Sequence, residues 1–377
     1  MYKKLSILLL ISVVIFSINA QTANKTIELK NKLGIDKLGV SSQFVYCPVL
    51  DSLKKIEIIR IELNTGNQSG KFIPPVEHSV NKEFVIENDF IFYHSTGFVS
   101  KYNLVTGEKI WSGSYEISSE NGTLILSGTY ACVAQEKSVA LFDKNSGKLL
   151  YNVKTAKIDE EHLSVNGDKL YVYSDDDKAK IMCYDLKTQK VLWKTKLADV
   201  AGLGMTFDEQ QAYITDINDQ LYCLNINNGK LIWKHKYKIE DCMGYSPILN
   251  KDEVITITSG GLFVFNKNTG KIMNKILIEG AGKYTYELFR INDNLYFGTK
   301  YYVHKLSLMD YVNKNVAKIS SAVLVNDGYT LYRGTNQLIL SNFGKHKEEN
   351  NGYNEKGEVI RKRVPLPQIV EIINLND

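Results

Sequence analysis

Apolar runs of five or six residues, separated by short polar turns, organise this chain. A 3.6-residue stripe is absent. One stretch shows the unit: "GLGMTF", "QAYITD", "QLYCLN" and "KLIWKHKY" are four strand-length runs between Gly202 and Tyr237. Runs of this length bounded by Gly, Asn and Asp predict buried strands joined by tight hairpins. The last hairpin, "LNINNGKLIWK", recurs. Its turn has counterparts at Thr65-Gly66, Thr106-Gly107, Ser146-Gly147, Thr188-Gln189, Asn228-Gly229 and Thr269-Gly270, with successive second residues 41, 40, 42, 40 and 41 apart. A fixed period of this size marks a solenoid or propeller.

The columns around the turn repeat as well. Four residues before it stand Glu62, Asn103, Asp143, Asp185, Asn225 and Asn266; one after it come Glu108, Lys148, Lys190, Lys230 and Lys271. Four after it come Trp111, Tyr151, Trp193 and Trp233, and then Asn274, where the column fails. The Asn or Asp is expected to accept backbone N–H groups in the turn. Glycine supplies the left-handed conformation, and the Trp column is expected to wedge between neighbouring sheets. A second set of turns lies about twenty residues earlier in each copy, at Asn88-Asp89, Ser127-Gly128, Asn166-Gly167, Asp208-Glu209, Asn250-Lys251, Asn292-Asp293 and Asn326-Asp327. Four strands per period predict an all-β fold, a β-propeller of four-stranded antiparallel blades. Eight copies are countable, and seven blades is the alternative. The first copy is one strand short, so a C-terminal segment, Val359–Val364 or Gln368–Leu375, is expected to complete the first blade and close the ring, because an open edge invites aggregation.

The N-terminus departs from this pattern. Lys3 and Lys4 precede an apolar run from Leu5 to Ile18 that exits at Ala20. These features read as a signal peptide over residues 1–20, followed by an N-terminal extension over 21–41 and a propeller over 42–377. The run is shorter than the ~20 residues a membrane span needs, and no later segment reaches that length. No cysteine follows the leader until Cys47, so a lipid anchor is not expected. The chain is therefore read as exported, periplasmic or secreted, soluble and monomeric. Loss of Lys3 and Lys4 takes the formal charge from +4 to +2, which gives no field to draw in nucleic acid. Arg361-Lys362-Arg363 is read as a solvated strand edge.

Candidate chemistry is sparse. His78, His94, His162, His235, His304 and His346 fall at different repeat positions without metal-binding spacing. Asp175-Asp176-Asp177 lacks the alternation and glycine of a calcium loop. "GLG" at Gly202 leads a strand, so it cannot cradle phosphate. Five cysteines, Cys47, Cys132, Cys183, Cys223 and Cys242, include no CxxC. Cys183 and Cys223 occupy equivalent positions in adjacent copies, which separates them beyond the ~7 Å disulfide limit. The sequons at Asn24, Asn67 and Asn121 read as chance occurrences beside a bacterial-type leader.

"CLNINNGKLIW", "VFNKNTGKIM", "YDLKTQKVLW" and "YSPILN" resemble the repeat of pyrroloquinoline-quinone (PQQ)-type β-propellers over roughly residues 42–345. Enzymes of that family use a calcium site, a catalytic Asp and often adjacent cysteines in a disulfide. Here no two cysteines adjoin and no Asp or Glu can be placed by motif, so no catalytic, cofactor-binding or metal residue is assigned. The resemblance is nearest to the non-catalytic periplasmic members, such as the propeller subunit of the outer-membrane barrel-assembly machinery, although that subunit is a lipoprotein. The expectation is a protein-binding scaffold of the cell envelope, with recognition where the copies differ. The alternatives are a quinoprotein or carbohydrate-active enzyme with a channel site, or a ligand sensor.

Overall fold

The computed structural model describes residues 21–22, 25–29, 33–34, 38–50, 56–75, 84–95, 97–118, 122–158, 163–174, 180–197, 202–216, 220–236, 246–258, 261–278, 288–299, 301–319, 330–333, 337–341, 346–353, 359–365 and 368–375. The leader expected over 1–20 lies outside them, as do Asn326-Asp327 and Cys242.

The expected four-strand unit is present in blade after blade. Blade 2 runs Phe84–Glu87, Phe90–Ser95, Phe98–Asn103 and Lys109–Ser114, hydrogen-bonded in that order. Blades 3, 4, 5, 6 and 7 repeat the pattern from Thr123, Leu163, Gly202, Ile248 and Phe289. The second and third strands of each are buried almost throughout, as in Lys169–Ser174 and Lys180–Asp185. Each blade is covered on both sheet faces by its neighbours, which is why these strands read as continuous apolar runs rather than alternating ones. The fourth strand is an outer edge and stays largely exposed, as in Val191–Lys196.

Eight apolar clusters occupy the blade interfaces. One joins blades 2 and 3 through Phe92, Trp111 and Phe142. Another joins blades 7 and 8 through Val303, Ala317, Leu338 and Ile373. The cluster that closes the ring brings Leu29, Ile339 and Ile372 against Val45, Ile59 and Ile61. Eight interfaces in a closed circuit make this an eight-bladed β-propeller.

Closure pairs the two chain ends in the eighth blade, rather than setting a C-terminal segment in the first. Gln368–Asn374 pairs with Gln337–Ser341 in blade 8, and its other edge receives the N-terminal Lys25–Leu29. The expectation that a C-terminal segment completes the first blade is therefore corrected. Blade 1 is built from Phe44–Leu50, Ile56–Glu62 and Gln68–Phe72, with the short strands Leu33–Gly34 and Gly39–Val40 on the edge of Phe44–Leu50. Residues read as an extension thus supply strands to two blades. Gln21–Thr22 adds to a third, lying parallel to the outer strand of blade 7. The other candidate segment, Val359–Pro365, pairs with His346–Tyr353 in a separate two-stranded hairpin. That hairpin occupies the connection where blades 1–7 carry a short turn.

Candidate binding surfaces

The repeated turn is fully engaged in structure. Asn225 Oδ1 accepts the N–H groups of Asn227 and Asn228 at 2.9 and 3.2 Å. Asp143 Oδ1 accepts from Ser146 N at 2.7 Å and Ser146 Oγ at 2.8 Å. These donors hold the Asp143 carboxyl below the usual carboxylate range, and Thr188 N–H and Oγ1–H do the same for Asp185. The turn glycine has positive φ, 68° at Gly229 and 71° at Gly147. A second constraint comes from the preceding blade. Trp193 of blade 4 lies under Gly229 of blade 5 and donates Nε1–H to Ile226 O at 3.0 Å. A β-carbon on Gly229 would come within 2.4 Å of the Trp193 ring. Trp111 meets Gly147 and donates to Lys144 O at 3.2 Å; Trp233 meets Gly270 and donates to Lys267 O at 2.8 Å. Each of the three tryptophans latches its blade onto the glycine turn of the next.

Among the described residues the sequence-selected histidines are not gathered. Buried His94 bonds Tyr115 Oη at 2.6 Å, and buried His304 bonds Thr299 Oγ1 at 2.9 Å and Asn313 Nδ2 at 3.2 Å. Burial lowers the His304 pKa to about 4, partly opposed by the Asn313 bond. His235 sits on an outer strand with its ring 5.1 Å from that of Phe265. His346 is at the start of the separate hairpin, opposite Pro365; His78, His162 and Asp175–Asp177 lie outside the described residues. Cys47, Cys132, Cys183 and Cys223 are free and buried, and desolvation raises the Cys183 thiol to about 11 and the Cys223 thiol to about 12. Among the described residues no group of three or more His, Cys, Asp or Glu side chains could hold a metal ion.

Among the described residues, two recesses lie on the turn face. A groove of about 880 Å³ lies between the turns of blades 4 and 5, lined by Asp168, Lys169, Asp185, Phe207, Asp208 and Glu209 among others. A recess of about 490 Å³ adjoins it between Asp208–Gln211 and Lys267–Asn268. Their charges serve structure as well. Asp208 Oδ1 accepts the N–H groups of Gln210 and Gln211 at 2.9 and 2.7 Å. Lys169 Nζ reaches the next blade at Asn227 Oδ1, 2.8 Å away. Lys267 lies 3.8 Å from both Asp208 and Asp252, and Lys187 lies 2.7 Å from Asp168. The groove is an open, predominantly acidic surface that suits hydrogen-bond donors. Sequence reasoning missed it, because its residues come from turns of different copies.

With this geometry in view, the chain compares with known proteins as follows. The fold is an eight-bladed β-propeller, and the repeat of its central blades is similar to that of PQQ-type propellers. Residues 135–297 match the family model described as "Outer membrane protein assembly factor BamB". Among solved structures, the chain is similar to BamB from Moraxella catarrhalis, at 14% identity and a TM-score of 0.53, covering 94% of this chain and 99% of that one. It is similar to the computationally designed protein Ika8, at 14% identity and a TM-score of 0.63, covering 92% and 98%. A europium-containing methanol dehydrogenase aligns at 9% identity and a TM-score of 0.55, covering 85% and 84%. These identities carry the fold alone. No curated protein sequence matches the chain.

Proposed function

We propose that this chain is an exported, non-catalytic propeller that serves as a protein-binding scaffold in the cell envelope. The observation that carries the reading is the match of the central blades to the family model described as outer membrane protein assembly factor BamB. The site geometry supports it. The repeated polar side chains cap turns and latch blades, and the turn face offers a broad, open recess. Rigid rings of this kind present loops and edges to other macromolecules. The charged start, short apolar run and Ala20 exit support export, with residues 1–20 as the leader. No helix among the described residues is long and apolar enough to cross a membrane. The test is affinity capture of the mature chain from its own envelope fraction. A stoichiometric protein partner is expected; turnover of a quinone-linked alcohol or a sugar, with no partner recovered, would replace the scaffold reading with the enzyme one.

A further inference from the structure

The outer strands of blades 3–6 carry a surface that turn capping and blade packing leave unexplained. They are Leu149–Lys154, Val191–Lys196, Leu231–Lys236 and Ile272–Ile276, each the last strand of its sheet with one edge unpaired among the described residues. Each opens with two large apolar residues that face solvent: Leu149–Leu150, Val191–Leu192, Leu231–Ile232 and Ile272–Met273, all between 36% and 55% exposed. Along these strands the charge has a single sign. Residues 148–154, 190–196, 230–236 and 271–276 hold ten lysines, all exposed, and no Asp or Glu. In a chain with 46 basic and 42 acidic residues, this is a segregated basic rim studded at each blade with an apolar pair.

Lysines on edge strands ordinarily prevent edge-to-edge pairing. Against a second copy they do so here, since two such edges would oppose like charges. Against an acidic strand the same lysines attract. The chain itself adds extended segments at outer edges: Gln21–Thr22 lies parallel to Ala317–Lys318 on blade 7, and Lys25–Leu29 forms the outer strand of blade 8. A flat lipid surface is a poorer occupant. Four of eight blades span about half the circumference, so a plane meets only one or two of these edges at once.

We propose that the outer edges of blades 3–6 bind an extended, acidic and partly apolar segment of a partner protein, which adds as a further strand. Main-chain hydrogen bonds would supply affinity, and lysine–carboxylate contacts would supply orientation and rate. The inference rests on the scaffold reading and names the chemistry of the partner.

Fluorescent eight-residue peptides of alternating Glu and Val, titrated against the full mature chain, give the test by anisotropy. Binding is expected to weaken at least tenfold in a Lys194→Glu/Lys234→Glu double variant and in Leu192→Ser/Ile232→Ser. It should also weaken between low and physiological salt, and vanish for a peptide with proline at its centre or with Lys replacing Glu. Equal binding to the double variant, or binding that ignores the proline, overturns the proposal. So does rim-dependent capture by phosphatidylglycerol vesicles with no peptide binding. Photocross-linking in the envelope fraction separates this inference from the reading beneath it. Partners trapped through a photoreactive group in place of Ile232 support the rim. Partners trapped only through one in place of Asn268, on the turn face, overturn the rim and leave the scaffold standing. No protein partner from either position overturns both.

Discussion

A glycine in this propeller answers to two masters, its own turn and the tryptophan of the neighbouring blade, and the two can be separated. Gly107 and Gly229 share the left-handed conformation, with φ of 78° and 68°. Only Gly229 has an indole against it; nothing lies within 4 Å of a β-carbon built on Gly107. Gly107→Ala is therefore expected to cost only the backbone strain, about 1 kcal/mol. Gly229→Ala must also displace the Trp193 ring and should cost more than about 2 kcal/mol. Urea unfolding of the two variants measures the difference. The chain contains the compensated version already: the copy with Tyr151 in place of Trp is followed by the copy with Gln189, φ 57°, in place of Gly. Trp193→Tyr should thus recover part of the Gly229→Ala loss, a coupling that a double-mutant cycle reads directly. His304 gives a pH signature at the same scale. Its folded pKa, lowered to about 4 by burial, lies below the usual ~6.5 of an unfolded histidine. The unfolded state therefore takes up the proton first, and stability falls as pH drops from about 6.5 towards 4, by up to about 3 kcal/mol. His304→Gln should flatten that part of the urea-midpoint profile.

Among the elements, those that follow the period were legible and those that interrupt it were not. The hydrogen-bonding role of Asn103, Asp143, Asp185, Asn225 and Asn266 follows from spacing alone, because an Asx turn is a local structure whose donors lie two and three residues on. Lys25–Leu29 carries no turn motif, and its pairing with Gln368–Asn374 joins opposite ends of the chain; nothing local encodes that. The Lys148, Lys190, Lys230 and Lys271 column was visible as a repeat, but its meaning as part of a continuous rim needed the ring. The hairpin His346–Tyr353 with Val359–Pro365 broke the period for a different reason. It is an insertion into a connection, and among the described residues its strands pair only with each other. Its register sets Glu348 opposite Arg363 and Glu349 opposite Lys362. Replacing residues 346–365 with a short Asn-Gly turn is accordingly expected to leave the melting temperature within about 3 °C of the parent, as an excised surface insertion should. A larger fall in a thermal scan would mean that the hairpin supports the ring.

Across the whole molecule, the chain ends decide whether eight blades behave as one body. A row of repeats that contact only their neighbours unfolds piecemeal, since each boundary can open independently. Closing the row removes its two weak ends, and here closure depends on Lys25–Leu29. This strand pairs along Gln368–Ile372 and brings Ile27 and Leu29 into the cluster between blades 8 and 1. Burying Leu29 contributes about 1.5–3 kcal/mol and the half-buried Ile27 less, and the loss would also leave the edge of Gln368–Asn374 open to aggregation. A mature chain shortened to begin at residue 31 should therefore lose more than its local contacts. Its melting temperature is expected to fall by more than about 5 °C. Its calorimetric transition should broaden, with a van't Hoff enthalpy well below the calorimetric one, as cooperativity passes from the ring to groups of blades. If the shortened chain instead melted in one sharp transition at the parental temperature, the pairing of the two chain ends would not be what holds the ring together.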